Sequence, residues 1–323
     1  MNAAKTTVGE VGTVARPTGR QFTVQGGGYR AVITEVGAGL RELEQTTAQG
    51  TRPLVLGYGA DEFAHGGAGQ LLAPWPNRVA DGRYRFDGED RHLDLTEPAR
   101  HNAIHGLVRW DAFQVAEQSA DRIVLALRMY PRPGYPHILD LTAAYSVSDA
   151  GLEVEVTARN AGSTAAPYGY AAHPYLTPGL PATPGSIDQW TLHLPTEYRV
   201  EVDERLNPSG LADVDASSYD FRAPRQLGTT SLDTAFGGLQ RELDGIGRVR
   251  LCEPGGGAVT LWMDRGLDWI QVFTADPLNG DWHRGGVAVE PMTCPPDAFN
   301  SGTDLIRLEP GVAIGHRWGI HAG

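Results

Sequence analysis

Two histidines, a glutamate and an asparagine–arginine pair hold most of the chemistry that this chain of 323 residues offers. His173 lies in Tyr168 to Leu176 (YGYAAHPYL), an aromatic and small-residue run in which a buried imidazole must find polar partners. Pro174 favours an extended backbone at His173. That suits a strand end projecting into a cleft, the alternative being a satisfied core histidine. Glu290 ends the apolar segment Val287 to Val289 and is followed at once by PMTCPPDAFN. The prolines of that loop make it stiff, and stiff loops hold catalytic groups well. The carboxylate is either exposed on a rim or held in a pocket.

The remaining candidates are binding groups. Leu71 to Val79 (LLAPWPNRV) sets Trp75, Asn77 and Arg78 between prolines, an aromatic face plus donors in a rigid frame of the kind that binds sugars. Asp233 in SLDTAF either joins such a site or accepts backbone hydrogen bonds in a turn. His101 and His105 in HNAIHG have i, i+4 spacing, but the glutamate of H-E-x-x-H is missing and Gly106 breaks a helical frame. A zinc site is therefore not expected. His105 is left as a buried hydrogen-bonded histidine or a ligand contact.

Strands must position these groups, because period 2 dominates the sequence. In Leu152 to Asn160 (LEVEVTARN) apolar Leu152, Val154, Val156 and Ala158 alternate with Glu153, Glu155, Thr157 and Arg159, as in a half-buried strand. Leu139 to Val147 joins it through a hairpin turn at 148–151. Further strands are expected at Ala31 to Val36, Arg83 to Phe86, Asp111 to Glu117, Arg122 to Tyr130, Trp190 to Leu194 and Arg248 to Glu253. Ala258 to Met263, Trp269 to Thr274, Gly286 to Glu290 and Val312 to Ile320 complete the set. No stretch of 12 or more residues has a 3.6 period with helix caps. The chain is expected to be an all-β sandwich of one domain, residues 20–323, behind a flexible tail at 1–19. The Pro-Gly-rich Thr177 to Ser186 is either a boundary or a long surface loop.

Composition excludes several classes. Lys5 is the single lysine among 27 Lys+Arg positions, so Schiff-base chemistry, a P-loop lysine and a lysine base are not expected. A net charge of −12 disfavours broad attraction to nucleic acid or anionic membranes. No apolar run approaches the ~18 residues of a membrane span, and no leader-like apolar segment opens the chain. Two cysteines, Cys252 and Cys294, form neither a zinc set nor a disulfide framework. The reading is of a soluble cytoplasmic protein.

Five blocks, in this order, resemble the aldose 1-epimerase (galactose mutarotase) family, in its bacterial branch: PWPNRVADGRYRFDG at 74–88, HNAIHGLVRW at 101–110, YGYAAHPYL at 168–176, SLDTAF at 231–236 and VAVEPMTCPPDAFN at 287–300. The resemblance implies a large β supersandwich whose cleft binds an aldopyranose. It implies His173 as the acid that protonates the ring oxygen and Glu290 as the base that removes the anomeric proton. Asn77, Arg78, His105 and Asp233 match sugar-binding positions, and neither metal nor cofactor is implied. The two proton-transfer groups are expected about a sugar's width apart. LLAPWPNR with HGLVRW points away from the galactose-specific branch and leaves phosphorylated or sulfonated hexoses open, with Arg78 or Arg109 as anion ligands. A glycoside hydrolase, using Asp233 or Asp297 opposite Glu290, and a non-catalytic carbohydrate-binding sandwich are the rival readings.

Overall fold

Alternating strands without intervening helices close their apolar faces on one another, and the computed structural model, which describes residues 15–179 and 183–323, has that form. Among the described residues the only α-helix is the single turn Ala298–Ser301, and no helix is long and apolar enough to cross a membrane. The expected all-β sandwich is what forms. Lys5 and the first fourteen residues of the expected tail lie outside the described residues. Its last members do not hang free: Thr18 is buried, and its carbonyl accepts the Val36 N–H.

A nine-stranded antiparallel sheet runs from Gln114–Gln118 through Arg122–Met129, Leu139–Ser148 and Gly151–Asn160 to the C-terminal strand Ala313–Ala322. It continues through Ala258–Met263, Gly247–Cys252, Thr191–His193 and Arg225–Gln226. Strands from both sides of the Pro-Gly-rich segment therefore share one sheet. Gly151–Asn160 follows its alternation: Leu152, Val154, Val156 and Ala158 are buried, while Glu153 and Glu155 face solvent.

The second large sheet, of eight strands, carries the candidate site. Its centre runs Asp233–Gly237, Trp269–Phe273, Val287–Met292 and Ala171–Ala172, with Tyr175–Leu176 also pairing with Val287–Met292. Val154 and Leu261 of the first sheet join Ile270 and Val289 of the second in one apolar cluster, so the core lies between the layers. Every residue of Val287–Met292 is buried, because this central strand is covered on both faces. For that reason alternation is absent there, and Glu290 is a pocket carboxylate rather than a rim one.

Candidate active site

A short ribbon delivers three of the six expected residues. Arg78–Ala80 pairs with Asn102–Ile104 in the register Arg78↔Ile104, and the chain leaves the ribbon through Asn77 and His105, at φ 52° and 63°. Such left-handed conformations are uncommon for non-glycine residues and cluster at functional sites. The His105 N–H donates to the Asn77 carbonyl at 2.9 Å, which fixes the two exits side by side. Asp297, in the loop after Glu290, clips onto the same ribbon: its carboxylate accepts the Ala80 N–H at 2.9 Å and its own N–H donates to the Arg78 carbonyl. Gly106, at φ 67°, completes the turn, and a Cβ there would overlap the Ala73 carbonyl oxygen. Gly106→Ala is accordingly expected to cost at least about 2 kcal/mol from backbone strain and overlap. A urea midpoint equal to that of the parent would contradict this packing.

The sheet delivers the other three. Gln271 lies directly opposite Glu290 across neighbouring strands, and Asp233 opposite Phe273. His173 sits between two short strands that both pair with Val287–Met292. Its own carbonyl accepts the Gly69 N–H, and that of Pro174 accepts the Val289 N–H. Both proton-transfer candidates thus belong to one wall.

His173 Nε2 stands 3.3 Å from Glu290 Oε1, with the two side chains 5% and 2% exposed. The expected separation of a sugar's width is not found, because direct pairing of their segments brings the two groups into contact. His105 meets His173 edge-on at 5.4 Å, and Tyr175 stacks on its other side at 5.1 Å. All six expected residues line one cavity of about 190 Å³. Gln271, Tyr175 and Arg100 line it too and were not read from the sequence. A glutamine inside the apolar strand WIQVF was the available signal for Gln271, whose Nε2 donates to Asp233 at 2.6 Å. Several buried polar atoms around the cavity have no protein partner: Glu290 Oε2, Gln271 Oε1, the Tyr175 hydroxyl and Nδ1 of His105.

Trp75 and Arg78 depart from what was expected of them. Trp75 does not line the cavity; it is buried and packs edge-on against Phe299 at 5.6 Å. His101 is exposed and pairs with Asp81 at 2.8 Å, away from His105. Among the described residues no group of three or more His, Cys, Asp or Glu is placed to hold a metal. Arg78 is not free to form an anion fork, because both oxygens of Glu97 occupy it, at 2.8 and 3.0 Å. Arg109 differs. Among the described residues it has no acidic partner, it is only partly exposed, and its guanidinium lies over the Trp110 ring at 4.7 Å.

Burial dominates the titration of the site. It pushes Glu290 well above the usual carboxylate range, assisted by the charge of Asp233 and opposed by Arg78. It also pushes His173 down to about 3, with the Arg109 charge acting in the same direction. His105 is lowered by burial and by His173, Arg109 and Arg78. In the free site the 3.3 Å contact therefore favours a neutral imidazole facing a protonated carboxyl.

Comparison with known proteins speaks to the family and the fold. The family model described as aldose 1-epimerase matches residues 20–321. An uncharacterized Escherichia coli protein, YihR, is 37% identical over 296 residues, covering 91% of this chain and 90% of that one. Human galactose mutarotase is 28% identical over 230 residues, covering 69% and 66%. Among solved structures, a GalM/aldose epimerase homologue from C. elegans superposes with a TM-score of 0.83 at 19% identity, covering 94% of this chain and 98% of that one. A putative aldose 1-epimerase from Escherichia coli K12 gives 0.77 at 19% identity, covering 94% and 99%. At such identities these two structures speak to the fold, which is the same sandwich. With a family model spanning nearly the whole chain, the protein belongs to the aldose 1-epimerase family.

Proposed function

We propose that this protein interconverts the α and β anomers of an aldopyranose by opening and reclosing the ring, with Glu290 and His173 exchanging the protons. The observation that carries the reading is the direct contact of these two groups on the wall of a small polar cavity. The ring oxygen and the anomeric hydroxyl are bonded to one carbon, so the groups serving them must be neighbours.

In ring opening, Glu290 takes the proton of the anomeric hydroxyl as the bond from C1 to the ring oxygen breaks, and His173 gives a proton to that oxygen. The products are an open-chain aldehyde, a protonated Glu290 and a neutral His173. This is the protonation state that burial favours in the free site, so the open-chain stage meets a relaxed pair. Rotation about C1–C2 presents the other carbonyl face, and the reverse transfers close the ring. The demanding state is the ionised pair that starts the cycle. Arg78, which opposes the rise of Glu290, supports it. Asn77, His105, Asp233 and Gln271 offer donors and acceptors for the sugar hydroxyls. No cofactor has a role in these steps.

Arg109, which does not line the cavity but lies behind His173 and acts on it, favours a second reading of the substrate, a hexose carrying a phosphate or sulfonate, since a half-buried guanidinium without a carboxylate partner is costly unless an anion meets it. The hydrolase alternative loses Asp297, which is engaged by the ribbon; Asp233 stays in the cavity but is held by Gln271, and an imidazole is what contacts Glu290. Anomer exchange should be compared for glucose, galactose, their 6-phosphates and sulfoquinovose, with the parent and with Arg109→Met. A preference for anionic sugars that Arg109→Met abolishes would establish the second reading. A preference for neutral sugars unchanged by that substitution would remove it. Sugar binding without exchange for any member would favour a non-catalytic binding protein over both.

A further inference from the structure

We propose that Glu97 is a positioning residue: it fixes the Arg78 guanidinium at the cavity wall and balances its charge, so that Arg78 neither pairs with Glu290 nor swings toward Asp233. This rests on the epimerase reading of the site. Glu97 does not line the cavity, yet its carboxylate accepts from four donors: Arg78 Nε at 2.8 Å, Arg78 Nη2 at 3.0 Å, Arg100 Nη1 at 2.8 Å and Asn102 Nδ2 at 3.3 Å. The two-point fork to Arg78 leaves that side chain 8% exposed and Glu97 14% exposed, and forks of this kind set orientation as well as strength. Glu97 is itself held to the ribbon that carries Arg78, because its N–H donates to the Asn102 carbonyl and the Asn102 N–H to its own.

What remains within reach of Arg78 explains why this matters. Its Nη2 is 3.8 Å from Asp233 Oδ2, and its charge acts on Glu290. Released from Glu97, the buried guanidinium has only those two carboxylates to meet. A balanced Arg78 at a distance eases the ionisation of Glu290, whereas direct pairing would occupy the carboxylate oxygens that must reach the anomeric proton and lower their basicity below what proton removal needs. The charged and titratable groups that face Glu290 are His173, Asp233, Tyr175 and Arg78, with His105 and Arg109 behind His173. Of these, only Arg78 is neutralised by a carboxylate outside the cavity.

The test is Glu97→Gln, Glu97→Asp, Arg78→Met and the double variant Glu97→Gln/Arg78→Met, assayed by anomer exchange across pH. Glu97→Gln is expected to lower kcat about ten- to hundredfold with less change in KM, and to move the acidic limb to lower pH by on the order of one unit. Glu97→Asp, with the charge kept and the reach shortened, is expected to lose rate without moving the limb. In the Arg78→Met background, Glu97→Gln should change the rate less than about twofold. A Glu97→Gln loss of equal size in both backgrounds, or an acidic limb that does not move, would overturn the proposal. The ¹³C shift of the Glu290 carboxyl reads the same charge effect without turnover. It should titrate lower in Glu97→Gln than in the parent even if no sugar is exchanged, and an unchanged titration overturns the role of Glu97 independently of the proposed function. Glu97→Asp and the double variant supply the answer if the single Gln variant does not fold.

Discussion

Glu290→Gln is expected to lower anomer exchange by about 10²- to 10⁴-fold, the usual loss when a positioned general base is removed, while leaving the fold and sugar binding intact. Glutamine matches the protonated carboxyl in shape and charge, and burial already favours that protonated form. The substitution should therefore preserve the wall formed with Gln271 and His173. It removes only the ability to take a proton. Stability should not fall, because the cost of ionising a carboxyl at 2% exposure disappears with it. The rate loss should appear in kcat, with KM little changed, as expected for an interaction realised only in the transition state. Saturation-transfer NMR on the anomeric protons, with urea unfolding as the control, checks both parts. Exchange at the parent rate by a folded variant would exclude Glu290 as the base.

Acidification from pH 7 to pH 5 is expected to remove a large share of the folding free energy through buried histidines. Burial pushes His137 and His316 down to about 4 and His173 to about 3, from an ordinary value of 6.5. These groups are neutral when folded, whereas the unfolded chain takes up protons below pH 6.5. Their stabilisation is thus fully present above 6.5 and is lost as pH falls toward the folded values. Each imidazole accounts for about 2 kcal/mol by pH 5, at about 1.4 kcal/mol per pH unit. Glu290, shifted upward, acts in the opposite sense and offsets part of this loss. The three imidazoles together account for about 6 kcal/mol before the opposing contribution of Glu290, a large share of the roughly 5–15 kcal/mol that holds an ordinary domain folded.

His316 gives the sharpest control. It stacks between Tyr168 and Tyr170 at 6.0 and 5.5 Å, and neither ring nitrogen has a partner. His316→Phe keeps the stack and removes the titration. It should therefore lose about 2 kcal/mol less than the parent between pH 7 and pH 5. Urea midpoints that are flat with pH in the parent would mean that these imidazoles are not held neutral by burial.

The strands that can be read from the sequence carry either a clear alternation, as Gly151–Asn160 does, or a continuous apolar run, as the almost wholly buried Ala258–Met263 does. Gly151–Asn160 and Ala258–Met263 were placed within a residue of their observed bounds. Tyr198–Val202 and Pro208–Asp213, at the edge of the eight-stranded sheet, were missed because their burial does not alternate cleanly. Asn77, Arg78 and His105 could be named from their blocks, but their convergence depends on the register of a three-residue ribbon, which no local pattern specifies. Glu97 was not visible at all. It lies 19 residues from the arginine it holds, in a stretch with no distinguishing motif. Trp75 misled because an aromatic residue between prolines is equally suited to a cleft or to a core, and Phe299, far along the chain, decides for the core.

Everything proposed for His173 and Glu290 requires that this cavity accelerate exchange between sugar anomers. The most direct measurement is the NMR exchange rate between α and β anomeric protons for neutral, phosphorylated and sulfonated hexoses, with and without the purified protein. For at least one of these sugars the rate is expected to exceed the spontaneous one and to grow in proportion to protein concentration. Rates equal to the spontaneous value for every sugar, with the protein shown to be folded, would contradict the roles of both residues.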